Sequence, residues 1–186
     1  MECLHENRED LSHYGEVTLQ QCQQCKLVFS NKFDSTTWSK DIYQEYYRNE
    51  ISAGRFRFGL ELIVRLFRLF RAYKVYTLVS GATSILDIGS GRGLMLYYLK
   101  KYFGFYRAVG TQISSLAAEF SRKKLGLEIW EMDLLDVPFE TKSFDVITIW
   151  HVLEHVIQPE KYIQRIHQLL KDNGKVVIEV PNFDSW

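Results

Sequence analysis

The sequence has no excess of either charge, with 23 Lys and Arg against 23 Asp and Glu. No overall field therefore draws the chain to nucleic acid or to a membrane, and neither is expected as a partner. No apolar run is long enough to cross a bilayer. Residues 1–10 carry several charges and lack the apolar core of a secretion signal, so a cytoplasmic location is expected. Cysteine is scarce: Cys3, Cys22 and Cys25 are the whole supply. An odd count close to the front fits a reducing compartment better than a disulfide framework. Internal repeats and low-complexity tracts are also missing.

What is present is an ordinary globular balance, 46% apolar and 25% charged, over 186 residues. That length supports one substantial core with a small appendage. Three zones follow one another. Residues 1–32 hold all the cysteines, and Val17–Leu19 with Lys26–Phe29 are expected to form a short hairpin around Cys22 and Cys25. Residues 33–80 are aromatic and then basic. The spacing predicts a helix over Phe56–Arg71, with Leu60, Ile63, Val64, Phe67 and Phe70 on one face. Arg65, Arg68 and Arg71 fall on another stripe, where their stems cover apolar surface. With Lys74 this stripe suits a solvated face, an anionic substrate or a lipid surface. The aromatic and acidic run Asp41–Tyr47 reads either as a lid or as a packed surface helix.

Residues 81–186 alternate regularly. Strands are expected at 84–88, 106–109, 128–132, 144–149 and 175–180, and helices at 94–102, 114–125 and 162–170, with a turn at Asp172-Asn173-Gly174. Such alternation predicts a doubly wound α/β domain, its mostly parallel five-stranded sheet covered on both sides.

The segment richest in chemistry is Ile85–Gly93, a buried strand running through GxGxG into a helix. Glycine tolerates positive φ and lets a ligand approach the backbone, and the helix start supplies unpaired N–H groups. Crevices at the carboxyl ends of strands are where open α/β sheets bind ligands. A dinucleotide site wants GxGxxG, but position 94 is Leu94; a triphosphate site wants a lysine followed by Ser or Thr, also missing. Asp87, just before the turn, would repel a pyrophosphate and suits a cationic or hydroxyl-bearing partner. The second strand ends at Gln112, within reach of a ribose. The third ends at Asp133, which either accepts from an adenine amino group or is a solvated loop acid or cap.

His151 and His155 stand four apart and would share a face if Trp150–Val156 were helical. The residue after His151 is Val152, so the glutamate of a zinc-protease HExxH is missing and a metal pair is not expected. A base or substrate-orienting role for His151 competes with simple ring packing.

From Ala82 to Asn182 the chain resembles the class I S-adenosylmethionine-dependent methyltransferases, most closely the small-molecule branch. The resemblance is carried, in order, by the segments 85–93, 108–114, 131–139, 143–156 and 169–182. It implies that Gly89, Gly91 and Gly93 line the methionine part of the cofactor and that Asp87 anchors its amino end. Gln112 stands where the family usually has an acidic residue gripping the ribose hydroxyls, a departure that implies a weaker grip. The resemblance further implies that Asp133 and the Leu134 backbone hold the adenine edge, with Leu135 packing beside it. It also implies that Trp150 and His151 lie near the sulfonium and the acceptor. Methyl transfer from a sulfonium is an in-line displacement, and a hydroxyl acceptor would use His151 as general base.

Some similar enzymes carry an N-terminal four-cysteine zinc module. Cys3, His5, Cys22 and Cys25 are the corresponding ligand set here, either holding structural zinc or forming a degenerate module with free thiols. The family sheet has seven strands and this chain stops at Trp186, so the last two are absent. The chain is then a fragment, or the front zone, a second copy or another partner covers the edge of the fifth strand. Small-molecule methyl transfer is the expected function. The alternatives are an inactive cofactor-binding relative that serves as an interaction module, and an NAD-dependent oxidoreductase, which GxGxG and Asp87 disfavour.

Overall fold

The computed structural model describes residues 6–31 and 58–182. The aromatic and acidic run 41–47 and Cys3 and His5 lie outside the described residues. The chain divides into two compact units, Met1–Thr37 and Trp38–Trp186.

The first unit holds three antiparallel strands, β1 (Arg8–Tyr14), β2 (Val17–Cys22) and β3 (Val28–Ser30), in the order β1-β2-β3. The expected hairpin is present, with Gln21 opposite Val28 and Leu19 opposite Ser30. The turn closes with Lys26 at φ 64 and its N–H donating to the Cys22 carbonyl at 2.9 Å. The strand β1 was not expected, because its sequence is almost wholly polar and exposed. Backbone pairing to β2 forms it, from Arg8 opposite Cys22 to Tyr14 opposite Val17.

The second unit is a Rossmann-like layered domain. Its elements are α1 (Phe58–Leu78), β4 (Ser84–Ile88), α2 (Leu94–Tyr102), β5 (Arg107–Thr111), α3 (Ser115–Leu125), β6 (Glu128–Trp130), β7 (Phe144–Trp150), α4 (Pro159–Leu169) and β8 (Leu170–Glu179). The five strands are all parallel, in the order β6-β5-β4-β7-β8. Every residue of β4 is buried, as a strand covered on both faces must be. One core, on the side of α1, α2 and α3, gathers Val75, Ile85, Leu96, Leu99, Phe105 and Val146. The other, on the side of α4, gathers Leu86, Val109, Phe144, Ile147, Ile149 and Leu169. Alternating residues of β4 and β7 thus serve opposite cores, the period of two expected of a strand.

Local chemistry sets the helix ends. Gly93 takes φ 70 at the start of α2, and Gly126 takes φ 63 just after α3, where the N–H groups of Gly126 and Leu127 meet the carbonyls of Arg122 and Ser121. Pro159 opens α4 three residues before the position expected from periodicity, because a missing N–H costs nothing in the first turn.

Three further expectations need correction. The strand β6 stops at Trp130 rather than Met132. The turn at Asp172-Asn173-Gly174 lies within β8 as an irregularity, the pairing jumping from Phe144 opposite Leu170 to Val146 opposite Lys175. Most tellingly, α1 packs by a different face. Ala72, Val75 and Val79 enter the core, whereas Ile63, Phe67 and Phe70 are exposed and Val64 is only half-buried. Arg71, expected on a solvated stripe, is buried. Periodicity found an apolar face, but the helix has two, and the one that reaches the sheet carries the smaller side chains.

Candidate functional site

Parallel pairing brings the carboxyl ends of β4, β5 and β7 to one edge of the sheet. Asp87 on β4 lies opposite Gly110 and Thr148, and Ile88 opposite Thr111 and Ile149. The next residues, Gly89, Gln112 and Trp150, therefore stand along the same edge. Gln112 donates its backbone N–H to the Trp130 carbonyl at 2.9 Å, which joins the end of β6 to this row.

The glycine-rich turn has the strained backbone that its sequence predicts. Gly89, Gly91 and Gly93 take φ of 68, 57 and 70, a region costly for residues with a Cβ. At two of them space is also decisive: a Cβ on Gly89 would meet Val152 Cγ2 at 2.4 Å, and one on Gly93 would meet Leu127 Cδ1 at 2.6 Å. These two glycines thus let the turn close onto the protein, and they shape the crevice through the backbone. The turn is held to β5 by the Ser90 N–H, which donates to the Thr111 carbonyl at 3.0 Å.

Asp87 is buried, and its Oδ1 accepts from the Thr148 hydroxyl at 2.7 Å. Burial pushes its pKa up to about 6, against smaller downward pulls from the Thr148 hydrogen bond and from Arg68 and Arg71. A carboxylate in such a place gains from a bound cation that repairs its desolvation.

Arg71 is the residue that sequence reasoning misplaced. Its Nη2 donates to Glu179 Oε1 at 2.6 Å, and its guanidinium sits 4.2 Å from the Trp150 ring centroid. Burial and the nearby Arg68 lower its pKa, while Glu179 and Asp87 act in the opposite direction. No local signal marks Arg71, since Arg65, Arg68 and Arg71 recur every three residues alike. Arg92, inside the glycine-rich turn, ties it to α1 through Glu61 Oε2 at 3.2 Å.

Among the described buried side chains, Trp150 Nε1 and Ser114 Oγ lack a hydrogen-bond partner. Trp150 ends β7, and Ser114 holds the N-cap position of α3 without a side-chain cap bond, so each stands at or just beyond a strand end of the carboxyl edge. Orphaned donors at a crevice mark places for a ligand acceptor. Gln112 is buried, and its Oε1 accepts the Ser114 N–H at 3.1 Å. Asp133 Oδ1 accepts the Leu135 N–H at 2.9 Å and its Oδ2 accepts from the Tyr162 hydroxyl, so the carboxylate caps its own loop and anchors α4. Leu134 is buried in the core beside α4, and Leu135 is exposed.

His151 and His155 do not share a helical face. His151 takes φ 52, and only Leu153–His155 form a short 3-10 turn. The cause is a backbone hook: the His151 N–H donates to the Glu179 carbonyl at 2.8 Å, prolonging the pairing with β8. The exposed imidazole meets Glu179 Oε1 through Nε2 at 2.9 Å, with Glu154 Oε1 3.5 Å from Nδ1. His151 thus belongs to a cluster with Arg71 and Glu179 beside the crevice.

Cys22 is buried, Cys25 is exposed, and the two form no disulfide with each other. Among the described residues no three His, Cys, Asp or Glu side chains converge as metal ligands.

Residues 86–178 match the family model of a methyltransferase domain. A demethylmenaquinone methyltransferase of Clavibacter sepedonicus is 31% identical over 98 residues, which cover 50% of this chain and 39% of that protein. A ubiquinone biosynthesis O-methyltransferase of Histophilus somni is 30% identical over 112 residues, 55% of this chain and 47% of its own. The chain thus spans less than half the length of these two curated relatives. Among solved structures, an S-adenosylmethionine-dependent methyltransferase from Archaeoglobus fulgidus superposes with a TM-score of 0.60 at 22% identity, covering 77% of this chain and 60% of that one. That likeness speaks to the fold alone.

Proposed function

The chain belongs to the methyltransferase domain family, and on that premise we propose that it binds S-adenosylmethionine at the carboxyl edge of β4 and transfers a methyl group to a small molecule. The observation that carries this reading is Asp87: a buried carboxylate, raised to about 6 and met by one hydroxyl, at the mouth of a positive-φ glycine turn. Such a group discourages phosphates and rewards an ammonium. Arg71, buried nearby, supplies the opposite charge for the carboxylate of the same amino-acid tail. Gln112 meets the ribose, and Asp133 with the Leu134 backbone meets the adenine. The turn backbone from Gly89 through Gly91 to Gly93 faces the methionine part. Bound there, S-adenosylmethionine supplies a methyl group already activated on a sulfonium.

The residues' own task is alignment and exclusion of water. Trp150 closes the floor of the crevice. His151, held by Glu179, takes the proton from a hydroxyl acceptor. A small-molecule acceptor is supported by the two curated relatives, each named for a quinone-pathway methyl transfer. His151→Ala lowers turnover while leaving cofactor affinity within about twofold; unchanged turnover removes His151 from the mechanism.

Calorimetry with S-adenosylmethionine, its demethylated product and NAD tests the reading. Binding of the first two and not the third is the expected result, and preference for NAD contradicts it. A second reading, cofactor binding without turnover, is favoured by Gln112, whose carbonyl serves the Ser114 N–H in place of the family's acidic grip. Turnover assays separate the two.

Three smaller readings complete the proposal. Zinc at Cys3, His5, Cys22 and Cys25 is supported by the tight Cys22–Lys26 turn, which keeps Cys22 and Cys25 close in the chain; elemental analysis finding none removes it. An odd count of three cysteines supports a reducing, cytoplasmic setting. Among the described residues β8 is the outer strand of the sheet, with Val176 and Ile178 exposed, and a further strand from a second copy or another chain adds there.

A further inference from the structure

The outward side of α1 is apolar where a surface helix is ordinarily polar. Leu62, Ile63, Leu66, Phe67 and Phe70 are 52%, 61%, 56%, 59% and 54% exposed. Their three- and four-residue spacing puts them on one face over about two and a half turns. The opposite face, through Ala72 and Val75, is wholly buried in the core. Scattered apolar side chains are normal on a surface, but a contiguous stripe marks an interaction site.

The charge around this stripe is predominantly positive. The exposed basic side chains of the helix are Arg65, Arg68 and Lys74, beside the single carboxylate of Glu61, which is engaged by Arg65 at 3.0 Å and Arg92 at 3.2 Å; Arg71 is buried against Glu179 and takes no part. At 100° per residue Arg65 falls on one margin of the apolar face and Lys74 on the other. Lys74 Nζ stands 5.3 Å from the Phe70 ring centroid, so a cation rides over an exposed aromatic ring.

We propose that this face of α1 docks onto an anionic lipid bilayer, lying in the interface with the apolar stripe in the acyl boundary and the cations at the headgroups. Apolar insertion with cationic margins is what binds interfacial helices to such surfaces. A second copy fits less well, because a two-fold contact through this face sets Arg65 and Lys74 against cations of the same face. A protein partner would also find few directional groups: the five central side chains carry no hydrogen-bonding atom, and the Thr77 hydroxyl donates to the Lys74 carbonyl. No helix among the described residues is long and apolar enough to cross a membrane, so contact through this helix is peripheral. The proposal stands apart from cofactor binding, which uses the other side of the helix.

Co-sedimentation of the full chain with vesicles tests it. The chain pellets with vesicles rich in phosphatidylglycerol, remains in solution with phosphatidylcholine alone, and is released by salt. A Leu66→Ser and Phe70→Ser double variant lowers partitioning at least about tenfold, and Lys74→Glu lowers it several-fold. Both keep the wild-type melting temperature and S-adenosylmethionine affinity. The proposal is overturned if neither vesicle type retains the chain, if both retain it equally, or if the double variant partitions like the wild type. Light scattering supplies the last outcome: a wild-type dimer made monomeric by Leu66→Ser and Phe70→Ser assigns the face to a second copy and overturns the lipid.

Discussion

Asp87 and Asp145 stand at opposite ends of the paired strands β4 and β7, and their acidities are shifted in opposite directions. Asp145, at the amino edge, accepts from the Thr83 N–H at 3.1 Å, the Ser84 N–H at 2.9 Å, the Ser84 hydroxyl at 2.7 Å and Lys171 Nζ at 2.7 Å. Burial works to raise its pKa, but the Lys171 and Ser84 hydrogen bonds and the two backbone donors outweigh it and leave the carboxyl well below its usual range. Asp87, at the carboxyl edge, is more deeply buried and has the Thr148 hydroxyl as its donor, so desolvation prevails. A carboxylate that fastens strands together is saturated with donors. On the proposed reading, one held in reserve for a ligand is desolvated and short of them. The same residue type on adjacent strands thus separates fold from function.

Substitution at each end sharpens this contrast, beginning with the largest expected change. Asp87→Asn weakens S-adenosylmethionine binding by about 10- to 100-fold, the worth of one charge-assisted contact. Its melting temperature stays level or rises, since a desolvated charge is gone. Wild-type affinity in calorimetry would dissolve the distinction. Asp145→Ala does the reverse: its donors lose their acceptor, stability falls by about 1–3 kcal/mol in denaturant titration, and cofactor affinity of the folded protein holds.

The pH dependence separates them further. Folded Asp87 keeps its proton to about pH 6, whereas the unfolded chain releases it near the ordinary value of 3.8. Over that interval the folded state binds more protons, so the contribution of Asp87 to stability declines as pH rises. Asp145 runs the other way. Its folded value is lowered, so the stability it contributes is complete above the ordinary carboxylate range and is lost as pH falls through the folded value. Melting curves across pH therefore lose the first trend in Asp87→Asn and the second in Asp145→Ala. The smallest effect is Thr148→Val, which removes the hydroxyl beside Asp87: affinity at neutral pH drops a few-fold and its rise with pH moves upward.

Much of this was legible in the chain itself. β4 and α2 fall at the expected residues because a buried apolar run ending in glycines admits few alternatives. Asp87, Gln112 and Trp150 were placed by the rule that parallel strands end together. The failures have physical causes. Polar β1 exists through pairing with β2 and carries no apolar alternation. His151 leaves the helical pattern because a hydrogen bond to Glu179, distant in sequence, turns its backbone. The face of α1 was misjudged because the small residues Ala72 and Val75 fit against the sheet while larger ones stay outside. Arg71 and Glu179 meet across 108 positions, a contact no local pattern encodes.

The most direct test of the account is the proton count on binding. S-adenosylmethionine is titrated calorimetrically at pH 6 in buffers of different ionisation enthalpy, with wild type and Asp87→Asn in parallel. An ammonium settling beside Asp87 drives off the proton that this carboxyl holds about half the time at that pH, so the wild type releases roughly half a proton and the variant none. Binding without proton release, or equal release from both proteins, would contradict the assignment of Asp87 as the cofactor's anchor.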